Sequence, residues 1–308
     1  MNAPPPPTSL RARLLRPVLM RIVRPVLNRP WPPERRRRAL DLTARITTHP
    51  PRGTRFEGDR IARPGLWVAA GPFGDGMVLW FHGGAYIVGR PRTHRAMAGW
   101  LARAAGVRVF LPSYRLAPEH PAPAGFEDAL AVWDGLIGRG HAPDRVVLGG
   151  DSAGGGLALA LLSALCRRGT PPAGLVAFSP WTDLTVSAPS IGANARSDQL
   201  LPIGRMAEVV DMVLGPGGGI GARDPRISPR FATFPDPPPV LITAAATEML
   251  RDDALGMAGP LPSARIAVAG DLPHAWPYMH GALPEAHATL AEAGAFIRQC
   301  LSAAPAGS

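Results

Sequence analysis

The chain contains no lysine; all 33 of its basic residues are arginine. That excludes a Ser–Lys dyad and Schiff-base chemistry on a lysine amine. Cysteine is nearly absent. Cys166 and Cys300 stand far apart in 308 residues, which gives no disulfide framework and suits a reducing, cytoplasmic compartment. The eight histidines lack metal-ligand spacing, so neither a metal nor a cofactor is expected. No apolar run is long enough to span a bilayer. Near the N-terminus no run of about seven apolar residues forms the core of a secretory leader. There is no internal repeat. Most of the chain also lacks an excess charge. The net +10 arises in residues 1–60, where 14 Arg face only Glu34, Asp41, Glu57 and Asp59; the rest is balanced. A neutral body without a recognised motif argues against nucleic-acid binding.

What is present centres on one serine. Gly150-Asp151-Ser152-Ala153-Gly154 follows an apolar run, Arg145–Gly149, and precedes a stretch of small and aliphatic residues, Gly155–Leu162. This reads as a strand, a sharp turn and a helix. A turn this tight strains the serine backbone and brings neighbouring chain close, so positions two before and two after must be small. In a chain with 35 Gly the pattern alone is a weak signal; its strand–turn–helix setting gives it meaning.

Upstream, Met77–Phe81 reads as a buried strand running into His82-Gly83-Gly84-Ala85. Glycines at a strand end leave backbone N–H groups unshielded, where they can hold the oxygen that turns negative when an acyl carbonyl is attacked. Gly83 and Gly84 are the expected donors, with Ala153 as a third; His82 is expected to fix the loop. A serine nucleophile needs a base and an acid further along the chain. Glu248 lies five residues past the apolar run Pro239–Thr243, and His274 five past Ala264–Ala269. Both would reach the sheet edge that carries Ser152. His280 and His287 are expected at the surface. Asp252 and Asp253 read as the first turn of a helix, where acids complement the dipole, and Asp252 stays open as the alternative acid.

Further strands are expected at Val107–Leu111 and Gly174–Ser179, and helices at Ala124–Ile137, Ala153–Arg167 and Leu283–Leu301. Strands alternating with helices imply a mainly parallel sheet. From Leu10 to Leu27 apolar residues recur at helical spacing between arginines, with Pro17 and Pro25 placed to kink or split the helix. This segment is expected to cover the active site, with contact to a membrane surface as the other reading. The Gly- and Pro-rich stretch 186–236 is expected to complete the cap. Trp181, Leu200, Leu201, Met206 and Phe231 are candidates for the acyl pocket.

The chain resembles the hormone-sensitive-lipase-like esterases of the α/β-hydrolase superfamily. The resemblance rests on His82–Tyr86, Tyr114–Pro121, Gly150–Gly155, Ser179–Leu184, Asp224–Pro229 and Leu272–His274, in the family's order over roughly residues 60–300. It implies an α/β-hydrolase fold with a helical cap, divided into 1–55 (basic cap segment), 56–185 (core), 186–236 (second cap segment) and 237–308 (core). It implies Ser152 as nucleophile, His274 as base, Glu248 at the acid position where the family usually has Asp, and Gly83, Gly84 and Ala153 around the oxyanion. The implied activity is hydrolysis of short acyl esters of small molecules. The open alternatives are N- or O-deacetylation on the same fold and a non-catalytic binder like the plant gibberellin receptors; those are expected to lack the histidine found here at His274. A homodimer is left open.

Overall fold

The computed structural model describes residues 8–216 and 219–303. Gly217 and Gly218, within the second expected cap segment, lie outside them. Eight strands form one sheet: β1 (Thr54–Ile61), β2 (Arg63–Ala70), β3 (Met77–Phe81), β4 (Arg108–Pro112), β5 (Val146–Asp151), β6 (Gly174–Phe178), β7 (Val240–Ala245) and β8 (Arg265–Ala269). Their order is β1-β2-β4-β3-β5-β6-β7-β8. β1 and β2 pair antiparallel, β2 meets β4 antiparallel, and every pairing from β4 to β8 is parallel.

The helices are α1 (Leu10–Val18), α2 (Arg24–Leu27), α3 (Pro33–Thr47), α4 (Pro91–Ala105), α5 (Ala124–Gly138), α6 (Ala153–Arg167), α7 (Pro189–Ala193), α8 (Met206–Leu214), α9 (Arg251–Gly256) and α10 (Pro284–Ala303). The central strands are buried along their whole length, as a parallel sheet covered on both faces requires. Alternate residues of β3 divide between two cores. Met77, Leu79 and Phe81 pack with α5 and α6. Val78 and Trp80 pack with Met97 and Leu101 of α4 and Leu290 and Ile297 of α10. Because β5, β7 and β8 are parallel, the segments that follow them emerge at one edge of the sheet.

The N-terminal segment is helical through both prolines. The split takes the form of a single π-helical turn, Leu19–Val23, between α1 and α2. Pro17 and Pro25 each remove a backbone donor, and a wider turn between them accommodates the loss. Ser9 caps α1 by accepting from Ala12 N at 3.2 Å and docks on α10 through its own N–H, 2.6 Å from Glu285 Oε1. No described helix is long and apolar enough to cross a membrane.

Candidate active site

Ser152 sits at the corner between β5 and α6 with φ 53° and ψ −125°. The surrounding backbone holds it there: its N–H donates to Phe178 O at 2.8 Å, and its carbonyl accepts from Trp181 N and Gly156 N, both at 3.0 Å. The flanking glycines leave no room for a side chain. A Cβ on Gly150 would run into Gly154 O, and one on Gly154 into Phe81 O. The strain at Ser152 lifts its hydroxyl to the carboxyl edge of the sheet, at the start of α6.

Three side chains meet at this edge. His274 follows β8 and places Nε2 2.9 Å from Ser152 Oγ. Its Nδ1 is 2.9 Å from Glu248 Oε2. Glu248 follows β7, is fully buried, and is fixed by accepting Ala245 N on Oε1 at 3.1 Å. Burial by itself disfavours the imidazolium of His274. The hydrogen bond to Glu248 and the charges of Glu248, Asp198 and Asp151 outweigh that, and its pKa lies above the ordinary histidine value.

Asp252 is elsewhere. Its carboxylate accepts Ser190 N at 2.9 Å and Arg251 Nε at 2.8 Å, and Glu248 already occupies His274 Nδ1. The alternative acid is therefore corrected to a residue that ties α9 to α7. Asp253 accepts Thr182 N and Asp183 N, both at 2.9 Å.

The loop after β3 requires a second correction. Gly83 N–H donates to Asp151 Oδ2 at 3.1 Å, so it already has a protein acceptor. The amides of Gly84 and Ala85, and of Ala153 at the first position of α6, make no backbone hydrogen bond at this corner. Gly84 has φ 121° and Ala85 φ 53°, a reversal that directs the loop back over Ser152. His82 is buried and stacks on Tyr114, ring centroids 4.4 Å apart. Tyr114 Oη donates to His82 O at 2.7 Å. Burial, then the neighbouring His94, pushes the His82 pKa down to about 3; it stays neutral and structural.

Two buried acids that sequence reasoning passed over support the site. Asp151 gathers Trp80 Nε1 at 3.1 Å, Gly83 N at 3.1 Å and His94 Nε2 at 3.2 Å. Asp198 accepts Leu200 N and Leu201 N at 2.8 Å on one oxygen and Met249 N at 2.7 Å on the other. It thereby pins a wall of the cavity to the residue beside Glu248.

That cavity has a volume of about 540 Å³ and opens beside Ser152. Trp181, Leu200, Leu201 and Met206 line it, as expected; Phe231 does not. Its ring instead packs under the Arg223 guanidinium, 4.1 Å away. The N-terminal helices supply another wall through Ile22, Val23, Val26, Leu27, Trp31, Ala39 and Leu40. His280 is also corrected. It is buried rather than at the surface, because the turn before α10 folds it against Trp100 and His287. Among the described residues no cluster of His, Cys, Asp or Glu is disposed to hold a metal ion.

The family model for the alpha/beta hydrolase fold matches residues 78–276. The chain belongs to the α/β-hydrolase family. It is 37% identical over 237 residues to an acetyl-hydrolase of Streptomyces hygroscopicus, covering 75% of this chain and 78% of that one. It is 32% identical over 272 residues to the putative acetyl-hydrolase LipR of Mycobacterium tuberculosis, covering 85% and 86%. An esterase from the bacterial hormone-sensitive lipase family superposes with a TM-score of 0.88 at 33% identity, over 96% of this chain and all of that one. Within the α/β-hydrolases, the resemblance to the hormone-sensitive-lipase-like branch holds over nearly the whole chain.

Proposed function

We propose that this α/β-hydrolase is a serine carboxylesterase acting on short acyl esters of small molecules. The observation that carries the reading is the hydrogen-bonded line Ser152–His274–Glu248, 2.9 Å at each link, at the edge of an apolar cavity. Ser152 Oγ attacks the ester carbonyl while His274 Nε2 takes its proton. Glu248 holds the tautomer with Nδ1–H facing it and stabilises the imidazolium. The tetrahedral oxyanion is received by the N–H groups of Gly84, Ala85 and Ala153; one such donor is worth about 3–4 kcal/mol. His274 returns the proton to the departing alcohol, and the acyl group stays on Ser152. Water, deprotonated by His274, then releases the acid.

Segments 1–55 and 186–236 act as the cap over the core segments 56–185 and 237–308. In support, residues between Ile22 and Leu40 and between Leu200 and Val209 line the cavity. The two buried, unpaired thiols fit a cytoplasmic location.

Hydrolysis of p-nitrophenyl esters from acetate to palmitate, by wild type and Ser152→Ala together, tests the reading. Activity on the short esters that vanishes in the variant supports it; activity that survives the substitution refutes it. Removal of an acetyl group from a small-molecule amide is the second reading, favoured by two relatives named acetyl-hydrolases. An acetanilide cleaved faster than the matching acetate ester would select it.

A further inference from the structure

The N-terminal helix carries apolar residues on two sides. Ala12, Leu15 and Leu19 are covered, Ala12 and Leu15 in a cluster with Leu272 and Trp276. Leu10, Leu14 and Val18, spaced four apart on the opposite side, are 67%, 64% and 45% exposed. A helix that already buries one stripe against the body gains no packing from a second stripe in water. This outer stripe leads to Ile22, which is 61% exposed and also lines the cavity. Ile22 therefore marks the cavity mouth.

The arginines of the segment divide in the same way. Arg16, Arg36 and Arg37 reach back to Asp271, Glu208 and Glu119 of the body. Arg11, Arg13, Arg21 and Arg29 are exposed, and none pairs with a carboxylate among the described residues. The inner arginines fasten the segment; the outer ones surround an apolar stripe with unneutralised charge.

We propose that this outer face docks on an anionic lipid surface, with the cavity mouth turned toward it. The leucines enter the interfacial layer and the arginines meet lipid phosphates. Charge selects this occupant over a second copy of the chain. A two-fold contact would set these arginines against their own counterparts. The consequence for catalysis rests on the ester-hydrolase reading: an acyl ester dissolved in the lipid enters past Ile22 without crossing bulk water.

Co-sedimentation of the full chain with vesicles tests the docking. The vesicles are phosphatidylcholine alone or with one third phosphatidylglycerol. Wild type is expected to bind the anionic vesicles only. Arg11→Gln/Arg13→Gln/Arg21→Gln should weaken that binding on the order of 100-fold, at about a factor of five per arginine. Leu10→Glu/Leu14→Glu should weaken it at least about tenfold. None of these side chains lines the cavity, so p-nitrophenyl butyrate hydrolysis in lipid-free buffer should stay within about twofold of wild type. That assay judges the esterase reading separately from the vesicle result. Failure of wild type to bind anionic vesicles overturns the docking, as does binding unchanged in both variants. A lipid-free dimer dissolved by Leu10→Glu/Leu14→Glu, without vesicle binding, overturns it in favour of a second copy.

Discussion

Beneath Ser152, on the side away from the cavity, the backbone has no space for one more carbon atom at either flanking glycine. Gly150 and Gly154 are closed in by backbone oxygens, and each acid at the corner has defined donors. Across the same cavity, the wall from α1 to α3 is loosely committed. It leaves Ile22 61% and Leu27 46% exposed, turns through a π-helical step and is fastened to the body by arginines at its edges. The corner fixes atoms to within a hydrogen-bond length, as bond-making chemistry requires. The opposite wall shapes a volume, and a volume tolerates substitution. Changes at the corner should therefore alter rate, and changes in the wall should alter selectivity.

Glu248→Gln should break the corner most severely short of losing the serine. A neutral amide cannot stabilise the imidazolium, and kcat should fall on the order of 10³–10⁴-fold. Asp252→Asn should leave it within about threefold, because Asp252 serves α7 rather than His274. The pH profile adds a sign. In wild type, kcat/KM should rise with pH through a midpoint above the ordinary histidine value, since His274 must be neutral to act and its pKa is raised. In Glu248→Gln the largest raising influence is gone, burial prevails, and the midpoint should move down. A midpoint that stays in place would remove Glu248 from the acid position.

Asp151→Ala should have the next largest effect. Gly83 N–H, His94 and Trp80 lose their common acceptor, and the loop bearing Gly84 and Ala85 loses its anchor. A fall in kcat of about 10²-fold with little change in KM is expected, comparable to losing one oxyanion donor. A pure KM effect would mean that the loop acts on binding alone.

The opposite wall should respond differently. Val26→Trp fills part of the cavity, so the octanoate-to-acetate ratio of kcat/KM should drop by about tenfold or more. Acetate hydrolysis should hold. Equal losses on both esters would dissolve the contrast between corner and wall.

The smallest effect concerns stability. Burial, with help from His287, pushes the His280 pKa to about 4. The unfolded chain binds a proton there near pH 6.5 and the folded chain does not, so stability is lost as pH falls from about 6.5 toward 4. His280→Gln should flatten the thermal-denaturation profile in that window by up to about 1.4 kcal/mol per pH unit.

The parts that were legible in the sequence share one cause. β3 and α6 match their expected limits because each is a buried apolar run ended by glycine or by the serine corner. Glu248 and His274 could be placed because both follow apolar strands of one parallel sheet. The β1–β2 hairpin was not legible. β1 is an exposed edge with no apolar alternation, and Ala62, at φ 56°, makes its turn in place of the usual glycine or asparagine. Neither was the engagement of Gly83. It depends on Asp151, at the end of β5, reaching the loop that follows the neighbouring β3, a contact between residues 68 apart, and no local pattern marks it. Phe231 departs from its expected place because an aromatic residue in a cap segment satisfies a cavity wall and a surface arginine equally well. His280 departs from its expected place because polarity alone says little about a histidine folded under a turn.

The most direct test is whether Ser152 carries the acyl group. Wild type is mixed with p-nitrophenyl butyrate, quenched in acid within the first turnovers, and analysed by intact and peptide mass spectrometry. One butyryl group on the peptide containing Ser152, absent from Ser152→Ala, is the expected result. Ester hydrolysis with the acyl group on another residue, or persisting in Ser152→Ala, would contradict the account at its centre.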